Sequence, residues 1–169
     1  MRPEIEKFKT AILTISDRGS RGERQDLSGP ALNERLAEDG QFQVVLEKIV
    51  SDEPAEIEAA LIQWSDQQAV DLILTTGGTG FSPRDLAPEA TSAVIERPAP
   101  GFAEAMRAES LKITPHAMIS RAVSGIRKST LIINFPGSPK AARECLGFIL
   151  PALPHALLKL AGDPSDCGS

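Results

Sequence analysis

At 169 residues, the chain is long enough for one domain with a real core. It is 41% hydrophobic and 24% charged, which excludes a disordered chain, and its net charge of −5 excludes a general nucleic-acid binder, whose surface carries a basic stripe. Any anionic ligand must therefore be held by local groups and not by the field of the whole molecule.

The segment from Met1 to Lys9 is charged and has no apolar core, so it does not read as a secretory signal. Thr10 to Ile15 is rich in strand formers and is expected to be the first strand, ending at Ser16-Asp17. Arg18 to Gly29 is polar, contains Gly19, Gly22 and Gly29, and reads as one long surface loop. Loops of that length are usually functional or mobile. Pro30 to Glu38 carries Leu32 and Leu36 at helical spacing, and Gly40 ends it. Val44 to Val50 is a second strand. Ser51-Asp52-Glu53-Pro54 then opens a helix that presents Ile57, Leu61 and Trp64 on one face and ends near Asp66.

Leu72 to Leu74 is a short unbroken apolar run continued by Thr75 and Thr76. That pattern predicts a strand covered by helices on both faces. It breaks into Gly77-Gly78-Thr79-Gly80-Phe81-Ser82-Pro83-Arg84-Asp85. Glycines strip a loop of side chains, so an anion can approach its N–H groups closely. The loop reads as a phosphate cradle with a metal ligand at its edge. No Gly-Lys-Ser or Gly-Lys-Thr follows, so it is not a Walker loop, and the glycine spacing is not the dinucleotide fingerprint. Short helices are predicted over Pro88 to Glu96 and Gly101 to Leu111. Ala122 to Ile126 and Leu131 to Phe135 read as a hairpin or two neighbouring strands. Pro136-Gly137-Ser138-Pro139 turns into the last helical region, with Ser138 as N-cap and Pro139 at the first position; a second helix is expected after Pro151.

Strands alternating with helices predict a three-layer α/β/α sandwich with a mostly parallel sheet and one antiparallel strand. A single domain is expected over the whole chain, with its core over residues 8–162 and a flexible tail over 163–169. Leu146 to Ala161 is too short, and too interrupted by Pro151, Pro154, His155 and Lys159, to span a membrane. Cys145 lies in a helical pattern and Cys167 in the tail, so no disulfide framework is expected and a reducing, cytoplasmic setting fits.

Ligands of open α/β sheets bind beyond the carboxyl ends of the strands. Here those ends are Ser16-Asp17, Ser51-Asp52, Gly77 to Gly80 and Pro136 to Ser138, and parallel strands would bring all four to one rim. Each has a plainer reading. The glycines could form only a tight turn, Asp52 could favour a helix start through the dipole, and Asp85 could be a turn or cap residue. Asp17 and Asp26 could be solvated loop carboxylates, and Ser138 a cap before it is a ligand contact. Arg18, Arg21 and Arg24 could be a solvated cluster or a flexible anion contact. His116 and His155 stand alone without metal-ligand spacing, and Cys145 reads as helix core.

The stretch Leu72 to Ala99, with its Gly-Gly-Thr-Gly-Phe-Ser-Pro-Arg-Asp run and Pro88-Glu89-Ala90-Thr91, resembles the molybdopterin adenylyltransferase family, which includes the G domain of gephyrin. The likeness extends to Thr14 through Asp17, Asp26 through Pro30, Val50 through Glu53, Gly125-Ile126-Arg127, Leu131 through Asn134, Pro136-Gly137-Ser138 and Ile149 through Ala156. Ser51 departs from the family's proline at that position. The resemblance implies transfer of AMP from ATP to the terminal phosphate of molybdopterin, with release of pyrophosphate and with Mg2+ as cofactor. It implies a homotrimer that passes its product to a molybdenum insertase, without nucleic acid or membrane. The family's acidic functional residues fall on Asp52 and Asp85, which would hold the metal directly or through water. Its nucleotide site falls on Gly77, Gly78, Thr79, Gly80 and Phe81, with Pro136, Gly137 and Ser138. Its substrate side falls on Ser16, Asp17, Asp26, Ser28 and Arg84. Two rivals share the fold: a protein that binds or scaffolds the pterin without turnover, and an enzyme that uses another nucleotide such as GTP.

Overall fold

Five consecutive buried residues, Leu72–Thr76, form strand β3 near the middle of a six-stranded sheet. The computed structural model describes residues 6–165. Before β3 come β1 (Phe8–Ile15), α1 (Asp17–Ser20), α2 (Ser28–Asp39), β2 (Phe42–Val50) and α3 (Pro54–Asp66). After it come α4 (Ala87–Val94), β4 (Arg97–Pro98), α5 (Gly101–Leu111), β5 (Ser124–Arg127), β6 (Thr130–Phe135), α6 (Pro139–Ile149) and α7 (Leu153–Leu160). The strand order is β2-β1-β3-β6-β5-β4, with β2, β1, β3 and β6 parallel and β5 antiparallel to both of its neighbours. The expected parallel sheet with one reversed strand is present.

Alternation along the central strands builds two cores. Ile12, Leu72, Leu74, Leu131 and Ile133 face α2, α5, α6 and α7, which contribute Leu32, Leu36, Met106, Leu146 and Leu153. Ala11, Leu13, Ile73 and Ile132 face α3 and α4, which contribute Ile57, Leu61, Trp64, Ala90 and Val94. Burial on both faces is why these strands read as unbroken apolar runs. Most polar groups between the layers are paired, Ser65 Oγ on α3 being the exception among the described residues. The buried Asn134 donates through Nδ2 to Thr75 Oγ1 at 2.9 Å and Thr91 Oγ1 at 2.8 Å, and its Oδ1 accepts from Val123 N at 3.2 Å. Arg127 grips Asp66 with Nε and Nη2 at 2.9 and 2.7 Å and donates to Val94 O at 3.0 Å, which fixes the β5–β6 hairpin to α3 and α4.

The connections differ from expectation in three places. Arg18 to Gly29 is not one loop: Ser16 Oγ caps α1 by accepting from Gly19 N at 3.0 Å. Asp26 Oδ1 accepts from Ser28 N and Gly29 N, both at 3.1 Å, which starts α2 at Ser28 instead of Pro30. Helix α4 stops at Val94, short of Glu96, because Glu96 N bonds to Ile126 O at 2.8 Å and draws the chain into the sheet as β4. Cys145 is buried in α6, as its helical spacing implies. Cys167, Met1 to Ile5 and the tail from residue 166 lie outside the described residues. Among the described residues no helix is long and apolar enough to cross a membrane.

Candidate functional site

The chain leaves β1 for β2 on one side, then returns to place β3 on the other side of β1. The chain that leaves β1 enters α2 on one face and the chain that leaves β3 enters α4 on the other, so a crevice opens between the two exits, close beside the ends of the paired strands. Gly77 makes that close approach possible. Its φ is +99°, and a Cβ there would lie 2.3 Å from the carbonyl oxygen of Ile15. Gly78 also has a left-handed backbone, φ +66°. The loop is held at its base by Gly77 N to Phe135 O at 3.1 Å, Thr76 Oγ1 to Pro136 O at 2.8 Å and Ala87 N to Gly78 O at 3.1 Å. Among the described residues none accepts a hydrogen bond from the N–H of Gly78, Thr79, Gly80 or Phe81. Those donors are available to an anion.

A polar cleft of about 490 Å³ lies over this crevice. Asp52 and Asp85 both line it, with Gly77, Gly78, Gly137 and Ser138 along its floor and Ser16, Asp26 and Ser28 on one wall. The N-terminal ends of α2 and α6 open on it, at Ser28 and at Ser138-Pro139. Free N–H groups and the helix dipole favour an anion there. Ser138 does cap α6, with Oγ accepting from Ala141 N at 3.4 Å. Arg24 is the one cation among the described residues that line the cleft.

The two carboxylates are set alike. Asp52 Oδ2 accepts from Asp17 N at 2.8 Å, while Oδ1 lies 3.3 Å from where a Cβ on Gly78 would stand. Asp85 Oδ2 accepts from Ser82 N at 3.0 Å and lies 2.9 Å from where a Cβ on Gly80 would stand. In each, the Oδ1 atom accepts no hydrogen bond from the described residues. Burial pushes the Asp52 carboxyl above its ordinary value, and the nearby Asp17 and Asp85 charges add to that push. Bringing a cation to this pair relieves the same repulsion. No group of three or more Cys, His, Asp or Glu among the described residues forms a cage for a metal by itself. Two half-engaged carboxylates fit a cation such as Mg2+, which takes one or two protein carboxylates and completes its shell with water and substrate phosphate.

Asp17 and Arg84 do not line the cleft; they brace it. Arg84 Nε and Nη2 bind Asp17 Oδ2 and Oδ1 at 3.0 and 2.8 Å, and Nη1 binds Glu53 Oε1 at 2.6 Å. Asp17 Oδ1 also accepts from Asp52 N at 3.0 Å, reciprocating the bond that holds Asp52. The Arg84 guanidinium holds the Asp17 carboxyl at about 2, with the Asp52 amide adding to the effect. Asp26 lines the cleft, but Thr14 Oγ1, Ser28 and Gly29 engage both of its oxygens. Phe81 is 68% exposed and lines neither this cleft nor its neighbour.

Thr79, Gly80 and Pro136 face the other way, into a second, apolar recess of about 280 Å³. Met106 and Ser110 of α5, Ile113, Ile119 and Cys145 of α6 complete much of its wall. Burial pushes the Cys145 thiol up, so it is a wall residue and not a nucleophile. The glycine loop is thus the partition between a charged cleft and an apolar cavity.

Known proteins are similar to this chain in sequence and fold. A family model described as "Probable molybdopterin binding domain" matches residues 11–155. The molybdopterin adenylyltransferase of Helicobacter pylori is 46% identical over 162 residues, covering 94% of this chain and 91% of that protein. The chain belongs to the molybdopterin adenylyltransferase family. Within that family, gephyrin of Dictyostelium discoideum is 46% identical over 161 residues, covering 90% of this chain and 22% of gephyrin. The crystal structure of the molybdopterin biosynthesis enzyme MoaB from Thermus thermophilus superposes with a TM-score of 0.88 at 52% identity, covering 94% of this chain and 99% of that one.

The family resemblance brought forward Asp52, Asp85 and the glycine loop. The apolar cavity was not anticipated. Its walls come from residues 79 to 145, and no spacing rule joins positions so far apart. Glu53 was also missed as the second partner of Arg84; its place beside Asp52 in the Ser-Asp-Glu-Pro turn was the available signal.

Proposed function

We propose that this chain is a molybdopterin adenylyltransferase of molybdenum cofactor biosynthesis. An oxygen of the molybdopterin terminal phosphate attacks the α-phosphorus of ATP. The new P–O bond joins AMP to the pterin phosphate, and the bond from the α-phosphorus to the bridging oxygen breaks to release pyrophosphate. A phosphate monoester is already ionised near neutral pH, so the attack needs no general base. The difficulty is the approach of two anions, and the cleft meets it with preorganised donors. The free amide of Gly78 and the starts of α2 and α6 receive phosphate oxygens, and Arg24 supplies a positive charge at the wall. Asp52 and Asp85 would hold Mg2+, directly or through water. When bound, Mg2+ offsets the combined phosphate charge of the two substrates. The apolar cavity seats the adenine ring, with Thr79, Ser110 and Thr114 as polar edges.

The observation that carries this reading is the convergence of Asp52 and Asp85, 33 positions apart in the chain (85 − 52), on one cleft floored by bare backbone. The same reading includes a homotrimer, a cytoplasmic location and delivery of the product to a molybdenum insertase. The test is pyrophosphate release from ATP and Mg2+ with and without molybdopterin. Release that requires molybdopterin supports transfer. Tight pterin binding without release, with ATP saturating, would mark a carrier instead. Comparing ATP with GTP in the same assay decides the nucleotide.

A further inference from the structure

Arg121 lines neither recess, yet it holds the wall between them. It sits between Ser120 and Ala122, which both face the apolar cavity. Its backbone N–H donates to Thr79 O at 2.9 Å. Its Nε donates to Gly80 O at 2.8 Å, and its Nη2 donates to Asp85 O. Its Nη1 and Nη2 also pair with the Glu89 carboxylate on α4. One guanidinium therefore grips both ends of the segment from Gly80 to Asp85. That segment is glycine-led and carries a carboxylate of the cleft at its far end. Its internal ties are short-range, Ser82 N to Asp85 Oδ2 at 3.0 Å and Asp85 N to Ser82 O at 2.9 Å. They shape the turn but do not anchor it to the sheet. The planar fork of arginine can serve two carbonyls and a carboxylate together; a lysine ammonium on a flexible stem does not reproduce that geometry.

We propose that Arg121, oriented by Glu89, is a positioning residue for the transfer: by clamping the carbonyls of Gly80 and Asp85 it sets where the Asp85 carboxylate stands in the cleft. The inference rests on the adenylyltransferase reading. A carboxylate displaced by about 1 Å loses on the order of a hundredfold in rate even when the residue itself is intact.

The test uses the full chain as Arg121→Lys, Glu89→Gln, Asp85→Asn and the Arg121→Lys/Asp85→Asn double variant. Arg121→Lys is expected to lower kcat by about tenfold to a hundredfold and to raise the Mg2+ needed for half-maximal rate, with KM for ATP within about twofold. Amide exchange at Ser82 and Asp85 should quicken. On the Asp85→Asn background the same change should cost almost nothing more, because Arg121 acts through Asp85. Glu89→Gln should shift the same quantities in the same direction by less, and serves if the lysine variant does not fold. Unchanged kcat and Mg2+ dependence in a folded variant, or losses that multiply in the double variant, would overturn the proposal. If the unmodified chain does not adenylylate molybdopterin, the underlying reading fails instead. Amide exchange then decides the clamp alone: unchanged protection at Ser82 and Asp85 overturns it.

Discussion

On one side of the loop from Gly77 to Gly80 stand Asp52, Asp85, Arg24 and two helix starts; on the other stand Met106, Ile113 and Cys145. The first recess is built chiefly from strand ends, helix caps and backbone, so its geometry is fixed by the parallel sheet. The second is built from side chains of α5, α6 and the turn Pro115–Ile119, which pack against the back of the same loop. Charge is handled by main chain and carboxylates, and shape by apolar walls. A substitution in the cleft should therefore change kcat, and one in the cavity should change KM.

Removing a carboxylate tests that division most severely. Asp85→Asn keeps the shape of the side chain but removes its charge. Steady-state turnover should fall by on the order of a hundredfold to a thousandfold, while molybdopterin binding and the unfolding midpoint stay near those of the parent. Unchanged turnover would remove Asp85 from the mechanism. The partition itself is next. Gly77→Ala places a methyl group 2.3 Å from the Ile15 carbonyl oxygen at φ +99°. Urea unfolding should show a loss of about 3 kcal/mol, because both the clash and the left-handed backbone act at once. On the cavity side, Ala141→Leu narrows the apolar recess. It should raise KM for ATP by about tenfold and leave kcat within about twofold, which is the cost of misfitting a small apolar group. A fall in kcat with KM unchanged would contradict the proposed seat for adenine.

The smallest effect concerns the brace. Arg84 holds the Asp17 carboxyl at about 2, below its ordinary 3.8. A carboxyl lowered in the folded state stabilises the fold fully above 3.8, and that stabilisation is lost as the pH falls through about 2. Asp17→Asn lacks it. The difference from the parent chain in unfolding free energy should be below about 1 kcal/mol at neutral pH, since Arg84 is half-exposed and screened. The difference should close as the pH drops towards about 2. Asp52 moves the opposite way, its carboxyl raised chiefly by burial, so on the proposed reading, in which Asp52 holds Mg2+, acid should weaken Mg2+ binding at a higher pH than an ordinary aspartate implies.

What could be read from the chain beforehand follows the same division. Leu72 to Leu74 form an apolar run continued by Thr75 and Thr76 into glycine, so strand β3 and its loop were visible as a local pattern. Ser138-Pro139 marked the start of α6 by capping chemistry alone. Strand β4 was hidden because it has two residues, one of them Pro98, and exists only through pairing with Gly125 and Ile126. Helix α1 was hidden because Gly19 lies within its four residues. The Arg84–Asp17 pair and the Arg121 clamp join positions 67 and 41 apart, and charge pattern does not reveal such partners. The resemblance implies Asp26 on the substrate side; the fold sets it on the cleft wall with both of its oxygens held by Thr14, Ser28 and Gly29, a network that spacing does not reveal. Family resemblance located the acidic pair, but only the fold explains why both stand over one crevice.

The most direct test is the Mg2+ dependence of molybdopterin-dependent pyrophosphate release in the parent chain and in separate Asp52→Asn and Asp85→Asn variants. Each substitution should lower the maximal rate and move the half-saturating Mg2+ concentration upward by about tenfold or more, as expected when a carboxylate that holds the ion is neutralised. An identical Mg2+ midpoint in all three proteins would contradict a shared cation between the two aspartates.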